Sequence, residues 1–284
     1  MRKTLLVLGC LFMLILLNTS CKNNNLVVKT KSKYYTDSLY SNHLKEYRKH
    51  NIYLPQNFTP KDKYPVIYAT DGGTIKDESF LKSTLDSLIS NQIIAPIIFV
   101  ESHSNKKIAD STSTTTGDGK VVKLQYRNFE YVNYRISKEE DALLYNRFDA
   151  HKSYFKDELI SEIENNFSLE LTTEDRFFYG VSNGAGFGMS LLNSNPDIIG
   201  TYICLSTFGG DIRTNTWQKD IEYPKVYLRY GSEEPQFLKE DADFLEAESN
   251  ALNLTLDANE FKGGHDYLKW RELLTEILTE TFKT

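Results

Sequence analysis

"RFFYGVSNGAGFGMS", residues 176–190, decides how the rest of the chain is read. A short apolar run rich in aromatics ends at a serine, and glycines stand on both sides of it. Such a stretch either cradles phosphate or presents a nucleophile. A dinucleotide loop requires glycine at three set positions, G-x-G-x-x-G. Here Gly184 and Gly186 fit and Met189 does not. A nucleotide P-loop requires Lys followed by Ser or Thr, and no such pair is here. Gly180-Val181-Ser182-Asn183-Gly184 instead spells G-x-S-x-G between a strand-like run and a helix-like one. In that setting the serine sits on a sharp strand-to-helix turn, and glycines are needed where side chains would collide. Gly186 and Gly188 would then let the helix lie close on the sheet.

A serine hydroxyl is a weak nucleophile at neutral pH and needs a base, which in turn needs an orienting acid. In α/β sheets of this kind the chain order is serine, acid, histidine. His265, in "FKGGHDYLKW", is the one histidine after Ser182. The acid belongs just past the strand-like "VYLRYG", where Glu233 and Glu234 stand. Glu234, three residues after Gly231, has the spacing of a G-x-x-D turn and is preferred to Glu233. Asp241 and Asp243 fall in a helix-like stretch and read as solvated. A tetrahedral intermediate needs two backbone N–H donors for its oxyanion. Asn183 supplies one and "VIYATDGGT" the other, through Gly73 or alternatively Gly72.

Around these residues strands and helices alternate. "NIYLP" (51–55), "YPVIYAT" (64–70), "PIIFVES" (96–102), "TYICLSTF" (201–208), "KVYLRYG" (225–231) and "LTLDANEF" (254–261) read as strands, several apolar throughout. Continuous apolar strands belong to a sheet covered on both faces. Helical stripes run through Phe80, Leu81, Leu85 and Leu88, through Phe155, Leu159, Ile163 and Phe167, and through Trp270, Leu274, Ile277 and Leu278. The pattern is α/β, with a mostly parallel sheet and helices on both faces. The polar, Ser/Thr-rich stretch 101–120 is expected to be a long exposed loop.

The chain has 284 residues and a formal charge of −6, too acidic for a nucleic-acid footprint. Arg2 and Lys3 precede an apolar run, Leu5 to Leu17, of thirteen residues. That is short of the ~20 needed to span a bilayer and suits a signal peptide. Small residues then lead to Cys21, the form of a bacterial lipoprotein cleavage site, although Asn18 stands where an aliphatic residue is usual. The expected organisation is a signal peptide over 1–20, a tether over 21–45 beginning at a lipidated Cys21, and a catalytic domain over 46–284. The protein would be exported to the cell envelope and anchored by lipid on its periplasmic or surface side. Cys204, in an apolar run, reads as a buried small side chain, so no disulfide framework is expected. His43, His50, His103 and His151 lack metal-ligand spacing, and no metal or cofactor is expected.

"YPVIYATDGG", "RNFEY", "FFYGVSNGAGFG" and "FKGGHDYLKWRELL" together resemble the esterase family that includes enterochelin esterase, S-formylglutathione hydrolase, feruloyl esterases and the mycolyltransferases. The resemblance covers about residues 46–284. It implies an α/β-hydrolase fold, a serine nucleophile and small or glycan-linked carboxylic esters as substrates. The family's R-x-x-E segment falls on Arg127 and Glu130, which would shape the substrate pocket or form an internal ion pair. Glu stands where many members have Asp as the acid, and Thr70 replaces an apolar residue near the "DG" motif. Two further functions share these features: acyl transfer to a sugar hydroxyl, and glycan binding without catalysis.

Overall fold

The computed structural model describes residues 30–60, 62–73, 78–115 and 121–284. The expected signal peptide and Cys21 lie outside them. Among the described residues the main sheet has eight strands: β1 (Lys33–Ser41), β2 (Glu46–Leu54), β3 (Val66–Gly72), β4 (Ile98–His103) and, beyond a separate hairpin of β5 (Ile108–Thr115) and β6 (Val121–Gln125), β7 (Arg176–Val181), β8 (Thr201–Leu205), β9 (Tyr223–Gly231) and β10 (Leu254–Phe261). The order across the sheet is β1-β2-β4-β3-β7-β8-β9-β10. β1 and β2 pair antiparallel, as do β2 and β4, and every later neighbour is parallel. This is the mostly parallel α/β sheet that the sequence pattern predicts, in the α/β-hydrolase architecture that the resemblance implies.

The helices are α1 (Glu78–Ser90), α2 (Tyr126–Tyr131), α3 (Arg147–Ser153), α4 (Ile160–Phe167), α5 (Asn183–Ser194), α6 (Gln236–Glu248) and α7 (Tyr267–Thr281). A π-helical turn, Tyr154–Leu159, joins α3 to α4. Leu81, Leu85 and Leu88 of α1 pack with Trp270, Leu274, Ile277 and Leu278 of α7 on one face of the sheet. Phe155, Leu159 and Ile163 pack with α5 on the other. β3 is buried along its whole length because both faces are covered. Each such buried aliphatic or aromatic side chain contributes about 1.5–3 kcal/mol. Cys204 of β8 is fully buried.

Two stretches differ from expectation. β1 lies within 21–45, read as a tether, and pairs with β2 from Lys33↔Leu54 to Ser41↔Glu46. Its polar, half-exposed residues are those of an edge strand, which hides the strand from a search for apolar runs. Part of 101–120, read as a loop, is β5, paired antiparallel with β6. Serine and threonine there mimic loop composition, but β-branched threonine favours extended backbone.

His151 is fully buried among the rings of Tyr131, Tyr154, Phe155 and Phe187. Burial, with Arg48 and Arg147 nearby, holds its pKa well below the ordinary value. A histidine depressed in this way favours folding fully above the unfolded pKa of ~6.5 and less as pH falls below it. In urea titrations the wild type should lose about 1.4 kcal/mol more per pH unit below that point than His151→Phe does. His50 and His103, also depressed, contribute equally to both proteins. Parallel pH dependences would contradict a neutral buried His151.

Candidate active site

The parallel strands deliver their carboxyl ends to one edge of the sheet, where α/β proteins place their ligands. β7 ends there at Val181, and Ser182 turns the chain into α5 with φ 54° and ψ −128°. Few non-glycine residues adopt that conformation, and where it occurs it is held by its surroundings. Here Ser182 N–H donates to the Leu205 carbonyl at 3.0 Å, and its own carbonyl accepts from Gly186 and Phe208 at 3.1 and 3.2 Å. A Cβ on Gly180 would stand 2.7 Å from the Gly184 carbonyl, and one on Gly184 would stand 2.2 Å from Thr70 Oγ1. The turn therefore closes only with glycine on both sides. Gly188 faces the Phe178 ring of β7, and Gly186 faces the Phe208 carbonyl.

His265 arrives from the loop after β10. That loop is stitched to the one after β9: Ser232 N–H donates to the Phe261 carbonyl at 2.8 Å and Glu233 N–H to the Gly263 carbonyl at 2.9 Å. Gly231 permits this, since its Cβ would lie 2.3 Å from the Gly263 carbonyl. Asp266 then caps α7, accepting from Leu268 N–H at 2.8 Å. The stitching sets His265 beside Glu234. His265 Nδ1 is 2.6 Å from Glu234 Oε1, and Nε2 is 3.0 Å from Ser182 Oγ. The other Glu234 oxygen accepts the Gly231 N–H at 2.7 Å, and the carboxylate is 1% exposed. Glu233 is exposed and does not reach the imidazole. Asp241 is bound to Arg213 at 2.7 Å and Asp243 to Lys239 at 2.8 Å, both on α6.

Aromatic rings fix the imidazole from two directions. Trp270 meets it edge to face at 4.6 Å between centroids, and Phe208 does so at 4.9 Å. The Trp270 indole N–H donates to the buried Ser206 hydroxyl at 2.8 Å. Phe237 in turn packs edge to face on Phe208 at 5.1 Å. Sequence reasoning took Trp270 only as part of a core stripe, because periodicity cannot distinguish a side chain that packs on the core from one that also touches a loop.

The candidate oxyanion segment is the end of β3. Asp71 adopts φ 64° and Gly73 φ 69°. The Asp71 N–H is taken by the Tyr131 hydroxyl at 3.2 Å, leaving the amides of Gly72 and Gly73 as the candidates there. The His103 ring occupies the space a Gly73 side chain would need, and Lys106 Nζ donates to the Gly73 carbonyl at 2.7 Å. Asn183, the other candidate donor, is the first residue of α5. The helix N-terminus adds a partial positive charge there.

Arg127 and Glu130 part company. Glu130 is fully buried, accepting from Arg48 Nη1 at 2.7 Å and Nη2 at 3.0 Å and from Arg147 Nε at 3.0 Å. It braces α2 against β2 and α3 and does not line a substrate pocket. Nor does it pair with Arg127, whose carboxylate partner is Asp71. The two are three positions apart in a helix, but the charges in reach of each come from other elements. Asp71 and Tyr131 are the residues that sequence reasoning missed. Both lie inside the quoted motifs, "ATDGG" and "RNFEY".

A family model described as "Putative esterase" matches residues 41–281. The chain belongs to that esterase family. It is a carboxylic ester hydrolase with the α/β-hydrolase fold. Solved structures share this fold at low identity. A ferulic acid esterase superposes with a TM-score of 0.66 at 18% identity, covering 89% of this chain and 98% of its own. A ferulic acid esterase from Anaeromyces mucronatus, solved with ferulic acid, gives 0.65 at 16% identity over 91% and 93%. An IroE-like serine hydrolase from Shewanella oneidensis gives 0.62 at 18% identity over 88% and 80%. Among curated proteins nothing matches the sequence.

Proposed function

We propose that the esterase works through an acyl-enzyme on Ser182, with His265 as base and Glu234 as its orienting acid. The observation that carries this is the hydrogen-bonded line Ser182–His265–Glu234, at 3.0 and 2.6 Å, on a strained serine at the carboxyl edge of the sheet. With Nδ1–H donated to Glu234, His265 Nε2 is left to accept the serine proton. Ser182 Oγ then bonds to the ester carbonyl carbon, and its proton passes to Nε2. The resulting imidazolium faces the Glu234 carboxylate, and the oxyanion is held by N–H groups of Asn183 and of Gly73 or Gly72. Collapse breaks the carbon–oxygen bond to the leaving alcohol, which takes the proton from Nε2. Water repeats the attack with His265 again as base, releasing the acid and restoring Ser182. No cofactor enters this sequence.

Phe208 and Phe237 give the site an apolar wall beside His265, suited to an acyl or aryl group. A panel of activated acyl, acetyl-sugar and feruloyl esters tests the function directly, with an added alcohol acceptor to detect transfer. Turnover of at least one ester, abolished by prior fluorophosphonate treatment, is expected. Absence of turnover across the panel would favour a binding role for the fold.

The proposed cellular setting is the bacterial envelope, with export directed by residues 1–20 and lipid on Cys21. Two or more acyl chains hold a protein on a membrane where one does so only marginally. Cys21→Ser should move the esterase from the membrane pellet to the soluble fraction. A variant that still pellets would contradict lipidation at Cys21.

A further inference from the structure

Arg127 has no part in the proton transfers above, yet all three of its guanidinium nitrogens are engaged at this edge of the sheet. Nε and Nη2 donate to the two oxygens of Asp71 at 2.5 and 2.7 Å, and Nη1 donates to Asn183 Oδ1 at 3.2 Å. The guanidinium lies over the Tyr131 ring, 4.9 Å from its centroid. Tyr131 holds Asp71 a second time by accepting its N–H. Asn183 is fixed at its other end too, since Nδ2 donates to the Phe208 carbonyl at 3.2 Å.

One planar cation thus joins two segments that are far apart in sequence. Asp71 immediately precedes Gly72 and Gly73, and Asn183 immediately follows Ser182. These are the segments proposed to supply the two oxyanion donors. We infer that Arg127 is a positioning residue for the oxyanion hole, setting the separation of its two halves through Asp71 and Asn183, and not a ligand for the substrate. This rests on the serine-esterase mechanism proposed above. α2 can serve as the mount because Glu130, nearly one turn further along, is anchored between Arg48 and Arg147. The geometry calls for arginine. Its rigid fork spans both Asp71 oxygens and Asn183 together, whereas a lysine ammonium on a flexible stem cannot hold all three in one plane.

Donors act on an oxyanion only within a narrow range of distance, and a misplacement of ~1 Å can cost about a hundredfold in rate. Arg127→Lys and Asn183→Ala should therefore lower kcat about 10- to 100-fold and leave KM within about threefold. Asn183→Ala keeps its backbone N–H and keeps the Arg127–Asp71 pair, so it cuts the link without stranding a buried charge. Kinetics on one activated ester would be normalised to sites counted by end-point fluorophosphonate labelling. Affinity for a trifluoromethyl ketone, which forms a tetrahedral adduct on the serine, should fall by the same factor as kcat/KM. A raised KM with unchanged kcat would show a substrate ligand and overturn the inference. A lowered melting temperature with wild-type kcat per labelled site would show a purely structural brace and overturn it as well. Failure of the probe to label Ser182 in the wild type would instead remove the mechanism beneath it, and the inference with it.

Discussion

Ser182→Ala is expected to lower kcat on an activated ester by about 10⁵- to 10⁶-fold. The substitution removes the atom proposed to form the acyl-enzyme and leaves His265, Glu234 and the proposed oxyanion amides in place. Residual catalysis of ~10³-fold over water should remain, as it does in other hydrolases stripped of one triad member. The fold should be unaffected. Alanine at φ 54° is no more strained than serine, and Ser182 Oγ is bonded to His265, which is itself 41% exposed. The urea midpoint is expected to stay within the equivalent of ~0.5 kcal/mol. Activity of the purified variant within tenfold of wild type would exclude Ser182 as the nucleophile.

Glu234→Gln should be the second most damaging change. The amide keeps the shape of the side chain and loses the charge that faces the imidazolium. It can also present its NH₂ to Nδ1, which favours the wrong tautomer of His265. In a comparable triad this substitution costs ~10⁴ in turnover. The longer glutamate stem has more freedom to relax, so a loss of at least ~10²-fold is expected, equivalent to ~2.7 kcal/mol of barrier. Glu233→Gln, an exposed neighbour, should change turnover by less than about threefold. Both variants on a single substrate separate the two adjacent carboxylates. Loss of activity in Glu233→Gln with Glu234→Gln intact would contradict the geometry described above.

What the sequence made legible was local and tightly constrained. The strand, turn and helix around Ser182 announce themselves because few sequences can close so sharp a turn. The distance from Gly231 singled out Glu234, and the same glycine lets the two loops approach closely enough to bring that carboxylate to His265. What stayed hidden depends on partners distant in sequence. β1 is visible only beside β2, because an edge strand carries little apolar signal. β5 shows only once β6 is paired with it. Arg127 and Glu130 look like mates at helical spacing, but their charges are satisfied by Asp71 on β3 and by Arg48 on β2. No local pattern records such pairings. Trp270 belongs both to the core stripe of α7 and to the cradle of His265, and periodicity reports only the first.

The central claim is that Ser182 carries the acyl group. It is tested most directly by incubating the folded protein with a fluorophosphonate and locating the adduct by peptide mass spectrometry. One phosphonyl group per chain is expected, on the peptide containing Ser182, in wild type and Glu233→Gln, and none in Ser182→Ala. An adduct on any other residue, or a wild-type protein that hydrolyses esters at full rate after treatment and carries no adduct, would contradict it.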